Sequence, residues 1–346
     1  MSFSTFKEAV QLAATGTPLT GEQMEEAMAF MLEGAAAPVE IATFLTSLKM
    51  RGETVEEITA AAKAMRAKAT RFDGPTGAID TCGTGGDGAK TFNISTAVTF
   101  VLAACGVPVA KHGNKAVSSA SGSSDILSAL GVNLQADMPL VEAGLNEDGI
   151  CFLFAQRHHP AVRHVAPVRA EMGIRTLFNV LGPLTNPAGA PHQLLGVYDK
   201  ALTEPLAHVL KELGATSAWV VHGSDGLDEL TTTGPSFVSA LSPDGTVTSF
   251  EITPADAGLP ENTADQLVGG DAEENAAALR ALLANQTAGD EKLDAYRNIV
   301  LLNAAAGLVV AGKVAMLGEG ARMAEVAIAE GKAQAKLEQL IKRSNS

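Results

Sequence analysis

The chain has 346 residues, a formal net charge of −14, 34 glycines, one tryptophan and two tyrosines. Such a length suits two domains, or one large domain with a smaller partner. So acidic a chain argues against a nucleic-acid binder, whose affinity needs lysine and arginine laid along phosphates. In chain order, residues 1–69 predict helices only. Thr20 with Gln23, and Thr54 with Glu57, make capping boxes; Pro38 suits a first turn; Gly34 and Gly52 mark stops. Ile41, Phe44, Leu45 and Leu48 share one helical face. Residues 70–78, TRFDGPTGA, have the composition of a linker.

Alternation follows. Strands are expected at 79–82, 107–111, 150–155, 193–198 and 218–222, with helices at 94–104, 124–130, 139–147 and 204–213. A hairpin spans 237–252 around Pro-Asp-Gly, and helical stretches at 276–284, 293–310 and 321–341 close the chain. The expected fold class is α/β: a small all-helical domain, residues 1–69, completed by a helical segment near 170–190, and a larger domain, residues 70–346. The larger domain should hold a central, largely parallel sheet flanked by helices. Cys82, Cys105 and Cys151 show no metal or disulfide spacing and read as reduced thiols. The N-terminus lacks a leader pattern and no apolar run is read as membrane-spanning, so a soluble, cytoplasmic chain is expected.

The chemistry concentrates between Asp80 and Asp125, in two loops rich in Gly, Ser and Asn. Each follows a strand and precedes a helix. No Asp or Glu lies between Asp87 and Asp125, and residues 81–180 carry seven Lys and Arg against seven acids. Backbone N–H groups, hydroxyls, Lys90, Lys111 and Lys115 without a competing carboxylate suit an anion. In the first loop, Gly83, Gly85 and Gly88 match a dinucleotide fingerprint, but about 20 residues on, where an acid should hold the ribose, stand Lys111 and His112. No Gly-Lys-Ser/Thr closes a phosphate-binding loop of the Walker type either. What remains is a glycine loop feeding a helix whose start carries Thr91, Asn93, Ser95 and Thr96, suited to a diphosphate. The plainer alternative makes Thr91 or Asn93 a helix cap. Asp87 is out of place beside phosphate unless it meets sugar hydroxyls or a metal.

The segments DTCGTGGD, NIST, KHGNKAVSS, FLFAQRHHPAVRHVAPVR, RTLFNVLGPLTNP and VVHGSDGLDEL, in this order, resemble the anthranilate phosphoribosyltransferases over essentially the whole chain. The resemblance implies a nucleoside phosphorylase-like phosphoribosyltransferase fold and a homodimer formed through the helical domain. It also implies transfer from 5-phosphoribosyl-1-diphosphate (PRPP) to anthranilate with Mg²⁺, in tryptophan biosynthesis. By position, Gly83, Gly86, Asp87, Thr91, Asn93, Ile94, Ser95, Thr96, Lys111, His112, Gly113, Asn114, Lys115, Ser118, Ser119 and Ser123 would hold PRPP. Gly83, Asn114, His159 and Arg169 would hold anthranilate, and Ser95, Asp228 and Glu229 the metal. Lys115 stands where arginine is more usual, and Ser124 where alanine is common.

Arg169 has a case of its own, since a guanidinium can grip a carboxylate with two hydrogen bonds; the plainer reading is an ion pair with Glu171 or another acid. His158, His159 and His164 match no zinc spacing. Asp228 and Glu229 would pass for a solvated turn, except that carboxylates aimed at a diphosphate require a cation between them. Two rivals are weighed: a pyrimidine nucleoside phosphorylase, disfavoured by KHGN and VAPVR, and a non-catalytic nucleic-acid binder, which should show a basic face and lack the Asp-Glu pair.

Overall fold

The structure is a computed structural model describing residues 3–115 and 121–346. Four helices open it: α1 (Phe6–Ala14), α2 (Gly21–Leu32), α3 (Pro38–Arg51) and α4 (Val55–Ala67). Both expected capping boxes form, at Thr20–Gln23 and Thr54–Glu57. Gly34 and Gly52 take φ of +75° and +87° just past α2 and α3, where a side chain would be strained. The Glu57 carboxylate does more than cap. It is fully buried and accepts the N–H groups of Leu19 and Thr54, each at 2.9 Å. It also takes two bonds from Arg51 Nη2, at 2.6 and 2.7 Å, locking the ends of three helices together.

The remainder alternates. In order come β1 (Ile79–Gly83), α5 (Ile94–Ala104), β2 (Val109–Gly113), α6 (Ser123–Ala129), α7 (Met138–Ala143), β3 (Ile150–Phe154), α8 (Ala155–His158), α9 (Ala166–Met172) and α10 (Leu177–Leu181). Then follow β4 (His192–Gly196), α11 (Thr203–Glu212), β5 (Ser217–Gly223), β6 (Ser236–Leu241) and β7 (Val247–Ile252). Four helices end the chain: α12 (Ala272–Leu283), α13 (Glu291–Val310), α14 (Leu317–Ala329) and α15 (Lys332–Ser344). The seven strands form one sheet in the order β3-β2-β1-β4-β5-β6-β7, parallel from β3 to β5 and antiparallel beyond. The order reverses between β1 and β4. In open α/β sheets a ligand crevice opens at such a point, beyond the carboxyl ends of the strands.

Both faces are covered. Leu195 of β4 and Val220 of β5 point into a core shared with α1–α4 and with Val165, Val168, Leu177 and Phe178. On the opposite face Leu194 and Val221 pack with Leu302, Ala305 and Ala306 of α13. That helix is by length and composition apolar enough to cross a membrane, but 72% of its apolar window is buried in the fold. Three expected elements shift. β2 starts two residues late, because Pro108 has no N–H to give the ladder, and it runs on through His112 and Gly113. The helix expected at 139–147 widens to a π-turn over Gly144–Asp148. The stretch 321–341 is two helices, parted where Gly331 takes φ +72°.

Replacing Glu57 by Gln removes the buried charge opposite Arg51 and should cost about 3 kcal/mol of unfolding free energy in urea titration. A loss under about 1 kcal/mol would show that the pair does not hold these helices.

Candidate active site

The first loop leaves β1 at Gly83. Gly85, Gly86 and Gly88 all adopt left-handed backbone (φ +63°, +79° and +76°), which only glycine takes without strain. The Thr84 N–H bonds the Gly196 carbonyl at 2.9 Å, and Thr84 Oγ1 accepts the Tyr198 N–H at 3.1 Å, so the loop is tied to β4. Arg175 stacks over Tyr198, 4.3 Å from its ring centre, and donates to the Gly86 carbonyl.

Beneath this loop sits the Asp228–Glu229 turn between β5 and β6. Its own hydrogen bonds set its position. Asp225 Oδ2 accepts from Thr231 Oγ1 (2.6 Å) and Thr233 Oγ1 (2.7 Å). Asn303 of α13 accepts the Leu230 N–H at 3.1 Å and donates to the Leu230 carbonyl at 2.8 Å. Asp228 thereby lies directly against the ends of β4 and β1. A Cβ at Gly196 would overlap its carbonyl, and one at Gly83 would overlap its carboxylate. Asp228 Oδ2 accepts the Gly85 N–H at 2.7 Å. Asp228, Glu229 and Asp87 bring carboxylate oxygens within 4.8 Å of one another. Burial, then the Asp87 charge, push Asp228 up to about 6. Burial, then the charges of Asp228 and Asp87, lift Glu229 well above the usual carboxylate range.

A small cavity of about 10 Å³ joins Asp228 and Glu229 to Ser95, Thr81 and Asn303. Three crowded carboxylates with a hydroxyl at the same cavity fit a hard divalent cation, which takes oxygen ligands and would relieve their repulsion. The sequence reading placed Asp87 among the donor ligands. Its companionship with Asp228 and Glu229 is the metal alternative that its odd position in the loop had signalled.

Lys111 and His112 leave β2 on opposite sides. Lys111 is only 3% exposed, and its Nζ donates to the Thr81 carbonyl and to Ser95 Oγ (3.2 Å). His112 packs its ring 5.2 Å from that of His159. Burial holds His112 well below its ordinary range; burial and then His158 bring His159 down to about 4. Both imidazoles are therefore neutral, and both Nε2 atoms lack a partner among the described residues. Asp80, fully buried, fastens β2 by accepting the His112 N–H at 3.1 Å, and accepts Asn186 Nδ2 at 2.8 Å.

At the start of α5, the side chains of Ile94 and Thr96 are buried. The N–H groups of Ser95 and Thr96, in the helix's first turn, find no acceptor among the described residues. Asn93 does not cap α5 with its side chain; its amide bonds Ser121 and Asn275 instead. Thr91 forms a backbone bridge with Val268. In the second loop Gly113 admits Ser123, whose Oγ a Cβ would overlap. The Asn114 carbonyl accepts the Ser124 N–H (3.3 Å) and Ser123 Oγ (3.4 Å), and its Oδ1 accepts the Lys115 N–H (2.9 Å). Ser118 and Ser119 lie outside the described residues.

Arg169 makes no ion pair among the described residues. Its contacts are Asn179 Oδ1 at 3.5 Å and the Phe178 ring at 5.4 Å. The expected alternative, pairing with Glu171, does not occur, and burial depresses its pKa. A part-buried cation without a carboxylate is suited to an anionic ligand. Sequence reasoning passed over Gly196, Asn303, Asn275 and Tyr296. Each is set by long-range packing that no local pattern reports.

A fold of this topology with acids under a glycine loop defines a glycosyl-transferring enzyme. Residues 7–69 match the glycosyl transferase family, helical bundle domain, and residues 75–334 match the glycosyl transferase family, a/b domain. The anthranilate phosphoribosyltransferase of Rhodospirillum rubrum is 56% identical over 335 residues, covering 97% of this chain and 94% of that protein. That of Paramagnetospirillum magneticum is 54% identical, covering 100% and 98%. The crystal structure of the Thermus thermophilus anthranilate phosphoribosyltransferase superposes with a TM-score of 0.91 at 43% identity, covering 98% and 99%. That of Saccharomyces cerevisiae, in complex with PRPP and Mg, gives 0.90 at 28% identity, covering 98% of each. The chain belongs to the anthranilate phosphoribosyltransferase family.

The raised pKa of Asp228 has a signed consequence. The folded chain holds that proton more tightly than the unfolded chain, so the group supports the fold below about pH 4 and withdraws support as pH climbs through about 6. Millimolar Mg²⁺ should therefore raise the melting temperature more at about pH 7.5 than at about pH 5. Asp228→Asn should lose most of that difference; an unchanged Mg²⁺ increment in the variant would remove Asp228 from the metal site.

Proposed function

We infer that this chain transfers the phosphoribosyl group of PRPP to the amine of anthranilate, releasing diphosphate. The observation that carries the reading is the three-carboxylate cluster at the sheet's switch point. It lies directly under a glycine loop and beside a hydroxyl and two unclaimed N–H groups. The Saccharomyces cerevisiae enzyme is described in complex with PRPP and Mg. Ser95, Asp87, Asp228 and Glu229 would hold Mg²⁺, which when bound supplies positive charge against the diphosphate.

The chain's own groups do the rest. The N–H groups of Ser95 and Thr96 and the backbone of the Gly83–Gly88 loop receive the diphosphate where its charge grows. Lys111, committed to the Thr81 carbonyl and Ser95, acts by fixing the Ser95 hydroxyl and lending charge through it. Asn114, Lys115 and Ser123 line the remainder of the donor site. Arg169 grips the anthranilate carboxylate, with Gly83, Asn114 and His159 completing the acceptor pocket. The aromatic amine is neutral at physiological pH, so no strong base is required, and the neutral His159 is consistent with that. Orientation of the amine toward ribose C1 supplies the remaining acceleration.

We also propose the division at residues 69 and 70, a homodimer formed through the helical domain, and a place in the cytoplasm within tryptophan biosynthesis. Product fluorescence with anthranilate and PRPP tests the activity. Excess EDTA should abolish it, and full turnover in EDTA would refute the metal role. Arg169→Ala should raise the anthranilate KM roughly tenfold or more while the PRPP KM moves less than about twofold. An unchanged anthranilate KM would exclude Arg169 from the acceptor pocket.

A further inference from the structure

Residues 267–275, which lead from the β7–α12 connection into the first turn of α12, run along the exit of the first loop. The Phe92 N–H bonds the Leu267 carbonyl at 3.2 Å, and the Gly269 N–H bonds the Lys90 carbonyl at 3.0 Å. The bridge between Thr91 and Val268 lies between these two contacts. The approach is close enough that a Cβ on Gly269 would stand 2.8 Å from the Phe92 nitrogen and 2.6 Å from Asn275 Oδ1. The segment ends in Asn275, 1% exposed, whose amide is fully used. Its Oδ1 accepts the Gly270 N–H at 2.8 Å. Its Nδ2 donates to Asn93 Oδ1 and to Ser121 Oγ, each at 3.0 Å. Asn93 and Ser121 bond each other as well: Nδ2 to the Ser121 carbonyl, and Ser121 Oγ to Oδ1, both at 3.1 Å. Tyr296, buried in α13, donates its hydroxyl to the Asn93 carbonyl at 3.2 Å.

We propose that Asn275 is a positioning residue for the donor: it clamps the start of α5 to Ser121 in the second loop, fixing the spacing of the two loops before PRPP binds. A buried amide bonded to Gly270 in its own segment and to Asn93 and Ser121 on two other elements acts as a rigid pin, because losing any partner would strand a desolvated group. Asn93 and Ser121 lie on separate loops, joined by no strand ladder of their own. The inference rests on the donor site proposed above. Asn275 belongs to neither the metal cluster nor the acceptor pocket, so its removal should be felt in the donor alone.

The test is steady-state kinetics of the intact chain with both substrates, PRPP titration calorimetry with Mg²⁺, and thermal melting. The variants are Asn275→Ala, Ser121→Ala and the double variant. Asn275→Ala should raise the PRPP KM and weaken PRPP binding by about tenfold, the equivalent of one lost hydrogen bond, while the anthranilate KM stays within about twofold. Ser121→Ala, which deletes one oxygen and is the milder change, should move the PRPP KM in the same direction. The double variant should fall short of the product of the two single effects, since both break one pin. A lower melting temperature with PRPP KM and affinity within about twofold of wild type, in Asn275→Ala or, should that variant not fold, in Ser121→Ala, overturns the clamp. Wild-type chain that neither binds nor turns over PRPP would overturn the functional reading and the clamp with it; active wild type with unmoved variants overturns the clamp alone.

Discussion

The site depends on the close packing of Asp228 against two strand ends that carry no side chain. Gly196 admits its backbone and Gly83 admits its carboxylate, which places an acid where β1 and β4 diverge. Glu229 follows in sequence and Asp87 reaches in from the loop above. Three carboxylates so near one another repel, and the raised pKa values of Asp228 and Glu229 express that repulsion together with burial. In the absence of a cation the arrangement is unfavourable at neutral pH, and positive charge placed there would relieve it.

The loops around this cluster answer the opposite need. They present few acids, the N–H groups of Ser95 and Thr96 find no acceptor among the described residues, and the shape of the first loop depends on glycines in left-handed backbone. Glycine weakens a loop unless something else holds it. Here the holding is external, through Thr84 to β4, Arg175 to Gly86, and the Leu267–Asn275 segment to Lys90, Phe92 and Asn93. The first loop is thus built of flexible residue types, while its rigidity is imported from neighbouring elements.

Much of this was legible in the residues. The capping boxes at Thr20 and Thr54, the alternation from Ile79 onward and the helix Ile94–Ala104 all follow from local chemistry, and all are present. The acid-poor loops and the Asp228–Glu229 pair could be read as ligand-directed. What escaped depends on contacts distant in sequence. Asn93 looked like a cap or a ligand; its side chain does not cap α5, and its amide bonds Asn275, 182 positions away. Arg169 offered Glu171 as a local partner, and the fold leaves that pair unmade. Gly331 is a lone glycine between two helix-forming runs, with no proline to mark the break, so composition ran the last two helices into one.

Helix α13 carries a consequence for how this site tolerates change. Tyr296 and Asn303 stand seven residues apart, two turns on one side of the same rod. The first reaches the entrance of α5 and the second secures the turn bearing Asp228 and Glu229. A single stiff strut therefore gauges the gap between the first turn of α5 and the turn that carries the two carboxylates. A slip of this one strut would carry both ends out of alignment together.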